Sequence, residues 1–263
     1  MKIANRMENL SPSVTLAITA LARELKAQGK DILSFSAGEP DFDTPQIVKD
    51  AAIKAINDGQ TKYTAVEGIT ATKQAIINKL KKDHGLEYKL DGIVISNGAK
   101  HSLFNLFQVL IEKGDEVIIP APYWVTYPEQ VKFSDGIPVF IDTDDSTEFK
   151  ITPEQLKAVI TPKTKVLLLN TPSNPTGSVY TKEELTALGK VLEGTDILVF
   201  SDEMYEKIIY NGTKFTAAAE VSEDMYNRTV TINGLSKAVA MTGWRFGYIA
   251  TPNVALAKAL TKL

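Results

Sequence analysis

Short apolar runs that recur along the chain, separated by helical patterns, constrain this sequence more than any other feature. They are Ile93-Val94-Ile95, Glu116 to Ile119, Val139 to Ile141, Lys165 to Leu169, Ile197 to Phe200, Thr229 to Ile232 and Phe246 to Ala250. They are rich in β-branched residues and lack apolar–polar alternation, so they read as strands covered on both faces, as in a mainly parallel sheet. Helices are predicted over Gln46 to Asn57, Thr70 to His84, Lys100 to Lys113, Pro153 to Ile160 and Lys182 to Glu193. The fold class is therefore α/β, an open sheet covered by helices with one reversed strand. No repeat or low-complexity linker interrupts residues 46–263, which read as one large domain, and residues 1–45 read as an arm and helix leading into it.

Composition removes several classes of function. The 29 Lys and Arg against 32 Asp and Glu give a net charge of −3 without any basic run, so nucleic acid and anionic membranes are not expected partners. Without cysteine there is no disulfide framework, thiolate metal site or thiol nucleophile, and His84 and His101 are too few for most histidine-based metal sites. The longest apolar stretches are strand-sized, so no membrane span is expected. Val14 to Ala22 imitates a signal-peptide core, but Glu8 and Pro12 precede it. Its stripe of Val14, Ala17, Ile18, Leu21 and Leu25 runs on to Gly29 as an amphipathic helix, so a cytoplasmic protein is expected. Val254, Leu256, Ala257, Leu260 and Leu263 follow a helical pattern without a capping glycine, which reads equally as a helix cut short or as a frayed terminus.

In open α/β sheets ligands bind beyond the carboxyl ends of the strands. Four predicted strands there deliver Ser96-Asn97-Gly98-Ala99-Lys100, Asn170 to Gly177, Ser201-Asp202-Glu203-Met204-Tyr205 and Asn233-Gly234-Leu235-Ser236-Lys237. Singly, each has an ordinary explanation: an N-cap, a turn-rich loop, or one lysine among many. Together they bring a helix start suited to phosphate, an amide, an aspartate, a phenol and a lysine to one edge. A lysine able to form a Schiff base, an acid able to hold a pyridinium nitrogen and a phosphate cradle are what pyridoxal phosphate requires. Arg245, eight positions after Lys237, adds a cation that favours the neutral amine and a planar fork for phosphate. Tyr123 and Trp124 offer aromatic faces for a heteroaromatic ring, although aromatics more commonly serve the core. Dinucleotide and P-loop glycine motifs and the serine-hydrolase elbow are all absent.

The stretches Ser36 to Phe42, Lys62-Tyr63-Thr64, Ser96 to Asn105, Pro120 to Trp124, Asn170 to Gly177, Ser201 to Tyr205 and Ser236 to Gly247 resemble the class I, fold-type I pyridoxal-phosphate aminotransferases. The bacterial aspartate aminotransferase subgroup is the most similar. The resemblance implies a fold-type I large domain over 46–263, with 1–45 forming the arm and the first part of a small domain. It implies that Lys237 bonds the cofactor and shuttles the substrate proton, that Asp202 keeps the ring nitrogen protonated, and that Tyr205 and Asn174 hydrogen-bond the phenolic oxygen. Trp124 would stack on the ring. Gly98, Ala99, Ser236 and Arg245 would hold the phosphate, with Lys100 at the cradle and Tyr63 reaching over from the other subunit of a homodimer. Gly38, Asn174, Trp124 and Lys100 would meet the substrate, with Lys100 facing a dicarboxylate side chain. The implied reaction moves the amino group of aspartate to 2-oxoglutarate by a ping-pong route; aromatic or prephenate specificity, or an inactive cofactor-binding fragment, are the alternatives. Family members run on for well over a hundred residues and carry there an arginine for the substrate α-carboxylate, a role no residue of this sequence takes. The resemblance also implies a cis bond at Asn174–Pro175.

Overall fold

The computed structural model describes residues 1–8, 10–12, 14–35 and 38–263. Helices α1 (Val14–Ala27), α2 (Gln46–Asn57) and α3 (Thr70–His84) precede β1 (Ile93–Asn97) and α4 (Ala99–Leu110). Then follow β2 (Glu116–Ala121), α5 (Thr126–Phe133), β3 (Ile137–Asp142), α6 (Pro153–Val159), β4 (Thr164–Asn170), α7 (Lys182–Leu192) and β5 (Leu198–Asp202). The chain ends with α8 (Glu223–Arg228), β6 (Thr229–Gly234), β7 (Phe246–Ala250) and α9 (Val254–Lys262). Helices α6 and α7 begin with capping boxes, Thr152 with Gln155 and Thr181 with Glu184, which satisfy the free first-turn amides.

Among the described residues the strands form one sheet in the order β1-β7-β6-β5-β4-β2-β3. All neighbours are parallel except β7, which runs antiparallel to both β1 and β6. This is the reversed strand expected from the sequence. Successive residues of each strand face opposite sides, and both sides are covered, which is why the runs are continuously apolar. Val117, Ile119, Val166, Leu168, Phe200 and Ile249 pack with Leu103, Leu106 and Phe107 of α4 and Leu256 and Leu260 of α9. Their neighbours Ile118, Leu167, Leu169 and Val199 pack on the other face with Leu156, Leu185, Leu188, Leu192 and Met225. A third cluster joins Ile76 and Leu80 of α3 to Leu86, Tyr88, Ile93 and Tyr248.

The N-terminal region departs from this packing. No described residue of α1 or α2 is buried, and the stripe residues Val14, Ile18 and Leu21 stand exposed. No described helix is long and apolar enough to cross a membrane.

Because β7 is reversed, its first residue sits at the sheet edge where β1, β4, β5 and β6 end: Asn97 pairs with Phe246, and Gly234 with Gly247. That register carries Arg245 to the carboxyl edge beside Gly98.

Candidate functional site

A cavity of 630 Å³ opens at this edge, within the usual range for small-molecule sites. Its lining includes Gly38, Ala99, Lys100, Trp124, Asn174, Asp202, Tyr205, Ser236, Lys237 and Arg245. The four strand-end segments picked out in the sequence thus converge on one space. Tyr63 does not line it; its side chain is fully exposed. Of the Ser36 to Phe42 motif, Ser36 and Ala37 lie outside the described residues.

One end of the cavity is built for an anion. Helix α4 starts there without a side-chain cap, which leaves its first-turn amides for a ligand. Its N-cap, Gly98, has φ 87° and ψ 158°, a backbone conformation essentially restricted to glycine. A Cβ on Gly98 would collide with the Arg245 guanidinium, so the missing side chain lets the cation lie against the loop. Arg245, which lines the cavity, donates from Nη1 to the Thr242 carbonyl at 2.8 Å and from Nη2 to the Asn97 carbonyl at 3.5 Å. Gly247 is required for the same closeness: a Cβ there would strike the amide of Ala99. Ser236, buried, and Lys100 complete this end. Burial, seconded by the charge of Arg245, holds the Lys100 ammonium below its ordinary pKa. Its Nζ lies 4.9 Å from the centre of the Trp124 ring.

The other end presents a carboxylate. Asp202 closes β5 and is 5% exposed. Its Oδ2 accepts the Tyr127 hydroxyl at 2.7 Å, and its Oδ1 accepts the Met204 amide at 3.3 Å. Burial raises the Asp202 pKa above the usual carboxylate range, with those two hydrogen bonds acting against it. A buried acid so poised is the natural partner for a cationic N–H entering the cavity.

Between the two ends sits Lys237, half-buried, its amine donating to the Gly38 carbonyl. Burial lowers its pKa; Glu39 opposes this and Arg245 adds to it. A lowered pKa enlarges the neutral, nucleophilic fraction of the amine. Tyr205 has its ring centre 5.8 Å from Lys237 Nζ, and burial raises its phenol pKa against the hydrogen bond from Asn174. The loop holding Asn174 is pinned by Asn170, whose side chain accepts the Asn174 amide at 2.6 Å and donates to the Asp202 carbonyl at 3.0 Å. The Asn174–Pro175 bond is cis, as expected; so are Ala121–Pro122 and Thr171–Pro172, which sequence reading did not anticipate. Segment 38–44 is laced onto the lysine loop, with Thr242 donating to Glu39 and Thr44 donating to the Ala240 carbonyl at 2.6 Å.

Tyr127 is a cavity residue that sequence reasoning missed, and Asn170 entered it only as the first residue of the Asn170 to Gly177 segment. Tyr127, in the first turn of α5, lies three positions after Trp124, and the two rings meet edge to face at 5.3 Å. That spacing was the available signal, although it reads first as core. Tyr123, weighed as a stacking surface for a ring, also lines the cavity but stacks on Phe140 at 5.0 Å.

Residues 30–263 match the family model for aminotransferase class I and II. The aspartate aminotransferase of Geobacillus stearothermophilus is 54% identical over 263 residues, covering 100% of this chain and 67% of that protein. The aspartate/prephenate aminotransferase of Nitrosomonas europaea is 54% identical over 253 residues, covering 96% of this chain and 64% of its own length. The crystal structure of the aspartate aminotransferase from Rhizobium meliloti superposes with a TM-score of 0.96 at 44% identity, over 100% of this chain and 66% of that one. The chain thus spans about two thirds of the length of these relatives.

Proposed function

Given that the chain belongs to the class I and II aminotransferases, we propose that its cavity binds pyridoxal 5′-phosphate and that the protein transfers the amino group of aspartate to 2-oxoglutarate in a ping-pong cycle. The observation that carries this reading is the polarity of the cavity: Arg245, Ser236 and the α4 amides at one end, a buried carboxylate at the other, and an amine of lowered pKa between. The donor set fits the cofactor at each of its polar groups, and the Gly98 cradle is a space that any side chain would fill. Bound there, pyridoxal phosphate supplies an electron sink for the bond cleaved at the substrate Cα.

The rest of the chemistry belongs to the protein. Arg245 and the α4 amides bind the phosphate. Asp202 holds a proton on the ring nitrogen, with Tyr127 keeping its carboxylate oriented. Asn174 and Tyr205 donate to the phenolic oxygen, and Trp124 packs on the ring face. Lys237 is the amine that would hold the cofactor and, once displaced by the substrate's amino group, would carry the proton to and from the substrate Cα. The Gly38 backbone and Lys100 meet the carboxylates of the substrate. Residues 46–263 act as the cofactor-binding domain and 1–45 as the arm and the start of the small domain. In the homodimer, exposed Tyr63 reaches the phosphate of the neighbouring subunit, and the apolar residues Ile47, Ile53 and Ile56 of α2, all exposed, are available to the contact. Relatives named aspartate/prephenate aminotransferase favour prephenate as a second amino acceptor.

Titration of the 263-residue protein with pyridoxal 5′-phosphate, followed by borohydride reduction and peptide mapping, tests the reading. A near-visible absorbance band and a reduced adduct on Lys237 are expected, both lost in Lys237→Ala, whose fold persists. Aspartate should then discharge the band of the unreduced protein and yield its oxo acid. An unchanged adduct in Lys237→Ala would overturn the assignment.

A further inference from the structure

On the side of β5 away from the cavity lies a buried charge cluster that the reaction above does not use. The chain leaves β5 through two overlapping turns, closed by Glu206 N to Glu203 O at 3.0 Å and Ile208 N to Tyr205 O at 2.8 Å. Their residues divide between two environments. Met204 and Tyr205 line the cavity, whereas Glu203 and Glu206 are buried in contacts elsewhere: Glu203 with Ser201 and the Ala218 amide, Glu206 with α3.

The central group is His84, the last residue of α3, whose side chain is 6% exposed. Its Nε2 lies 2.9 Å from Glu206 Oε2 and its Nδ1 3.3 Å from Glu220 Oε2, with Phe215 edge-on at 5.5 Å. Lys79 pairs with Glu206, and Lys207 pairs with Asp83 at 2.8 Å. Asp83, His84 and Glu206 bring three metal-ligand atoms within 4.8 Å of one another, but the two lysines already neutralise the carboxylates. Burial would lower the pKa of His84; its hydrogen bonds to Glu206 and Glu220 and the charge of Glu203 prevail over this and over Lys79, raising it to about 9. As an imidazolium, His84 donates from both nitrogens at once and bridges two elements that a neutral ring would link only singly.

We propose that His84 is a positioning residue for Tyr205: by clamping Glu206 and Glu220 it fixes the turn whose other side sets the phenol in the cavity. The inference rests on the reading of that cavity as a pyridoxal-phosphate site. A phenol displaced by a fraction of an ångström loses its hydrogen bond to the ring, so a clamp outside the cavity controls a contact inside it.

A double-mutant cycle tests this on the full chain, with pyridoxal 5′-phosphate affinity from absorbance titration and visible circular dichroism of the bound chromophore as readouts. His84→Gln is expected to weaken binding about tenfold in the wild-type background and less than about twofold in the Tyr205→Phe background, with the dichroic band altered toward that of Tyr205→Phe. Lys81→Ala, which removes only the exposed pair with Glu87, should leave both readouts unchanged. Equal weakening in both backgrounds, or no weakening, overturns the positioning role. If His84→Gln does not fold, Glu220→Gln decides, because it removes one arm of the clamp from a partly exposed site; unchanged affinity and dichroism there refute the proposal. Failure of the wild type to bind the cofactor refutes the assigned site and this inference with it, whereas normal binding by both wild type and His84→Gln refutes the inference alone.

Discussion

Tyr127→Phe removes a single oxygen from the molecule, and the structure sets what that costs. The hydroxyl is buried and donates at 2.7 Å to Asp202 Oδ2, itself buried. Phenylalanine fills the same volume, so the loss is confined to the hydrogen bond. For an ionised acceptor that loss is about 1.5–3 kcal/mol, or roughly 10- to 150-fold in the folding equilibrium. The effect depends on pH with a definite sign. Asp202 has its pKa raised in the folded protein, so its favourable contribution is fully present below the unfolded carboxylate value and is lost as the pH rises through the folded one. Removing the donor raises the folded value further and deepens that loss. As the pH falls and the carboxyl takes up its proton, the charge-assisted part of the bond goes, and against a neutral partner the same deletion costs only about 0.5–1.5 kcal/mol. Urea unfolding of cofactor-free wild type and variant at pH 4 and pH 7, followed by far-ultraviolet circular dichroism, measures the difference, and titration of every other carboxylate cancels between the two proteins. A penalty below about 0.5 kcal/mol at pH 7, or one that grows on acidification, would refute the reasoning.

Two further perturbations address the anion end. Arg245→Ala should weaken pyridoxal-phosphate binding roughly 10- to 100-fold, the equivalent of one charged hydrogen-bonding partner, while leaving adduct formation on Lys237 possible at high cofactor concentration; unaltered affinity in the absorbance titration would end the phosphate-clamp role. Gly98→Ala should lower stability by about 1–3 kcal/mol in urea unfolding, because alanine cannot adopt the backbone of Gly98 without strain, and should also weaken cofactor binding by displacing the guanidinium; a variant as stable as wild type would show that the loop relaxes freely.

The sheet was legible in the sequence because its strands are covered on both sides: alternating partners such as Leu168 and Leu169 serve different helical layers, leaving no polar position to break the run. Strand ends were less legible. The run read as Ile197 to Phe200 is displaced, because the ladder pairs Ser201 with Leu169 and Asp202 with Asn170, and backbone pairing ignores side-chain polarity. Strand order was not legible at all, since nothing in residues 246–250 states that they insert between β1 and β6. The segments that line the cavity were legible through their placement at strand ends, a rule that depends on topology more than on any one motif. Tyr127 escaped because its ring is core and only its hydroxyl reaches Asp202. His84 escaped because its partners Glu206 and Glu220 lie more than a hundred positions away. The stripe on α1 identified which face seeks cover, and the exposure of Val14, Ile18 and Leu21 shows that such a pattern does not name what covers it.

The insertion of β7 beside β1 also orders events in time. Among the described residues β1 pairs in the sheet only with β7, and Arg245 follows Asn97 by 148 positions. A ribosome adding about 5–20 residues per second needs roughly 7–30 s to traverse that interval. Throughout it, Ile93 to Ile95 form an apolar segment with an unpaired edge, the kind of surface that recruits chaperones or other nascent chains. The proposed phosphate cradle is likewise assembled from the two ends of that wait, its glycine made early and its arginine late. Synthesis therefore pairs the first strand and brings Arg245 against Gly98 in the same step, once β7 has left the exit tunnel.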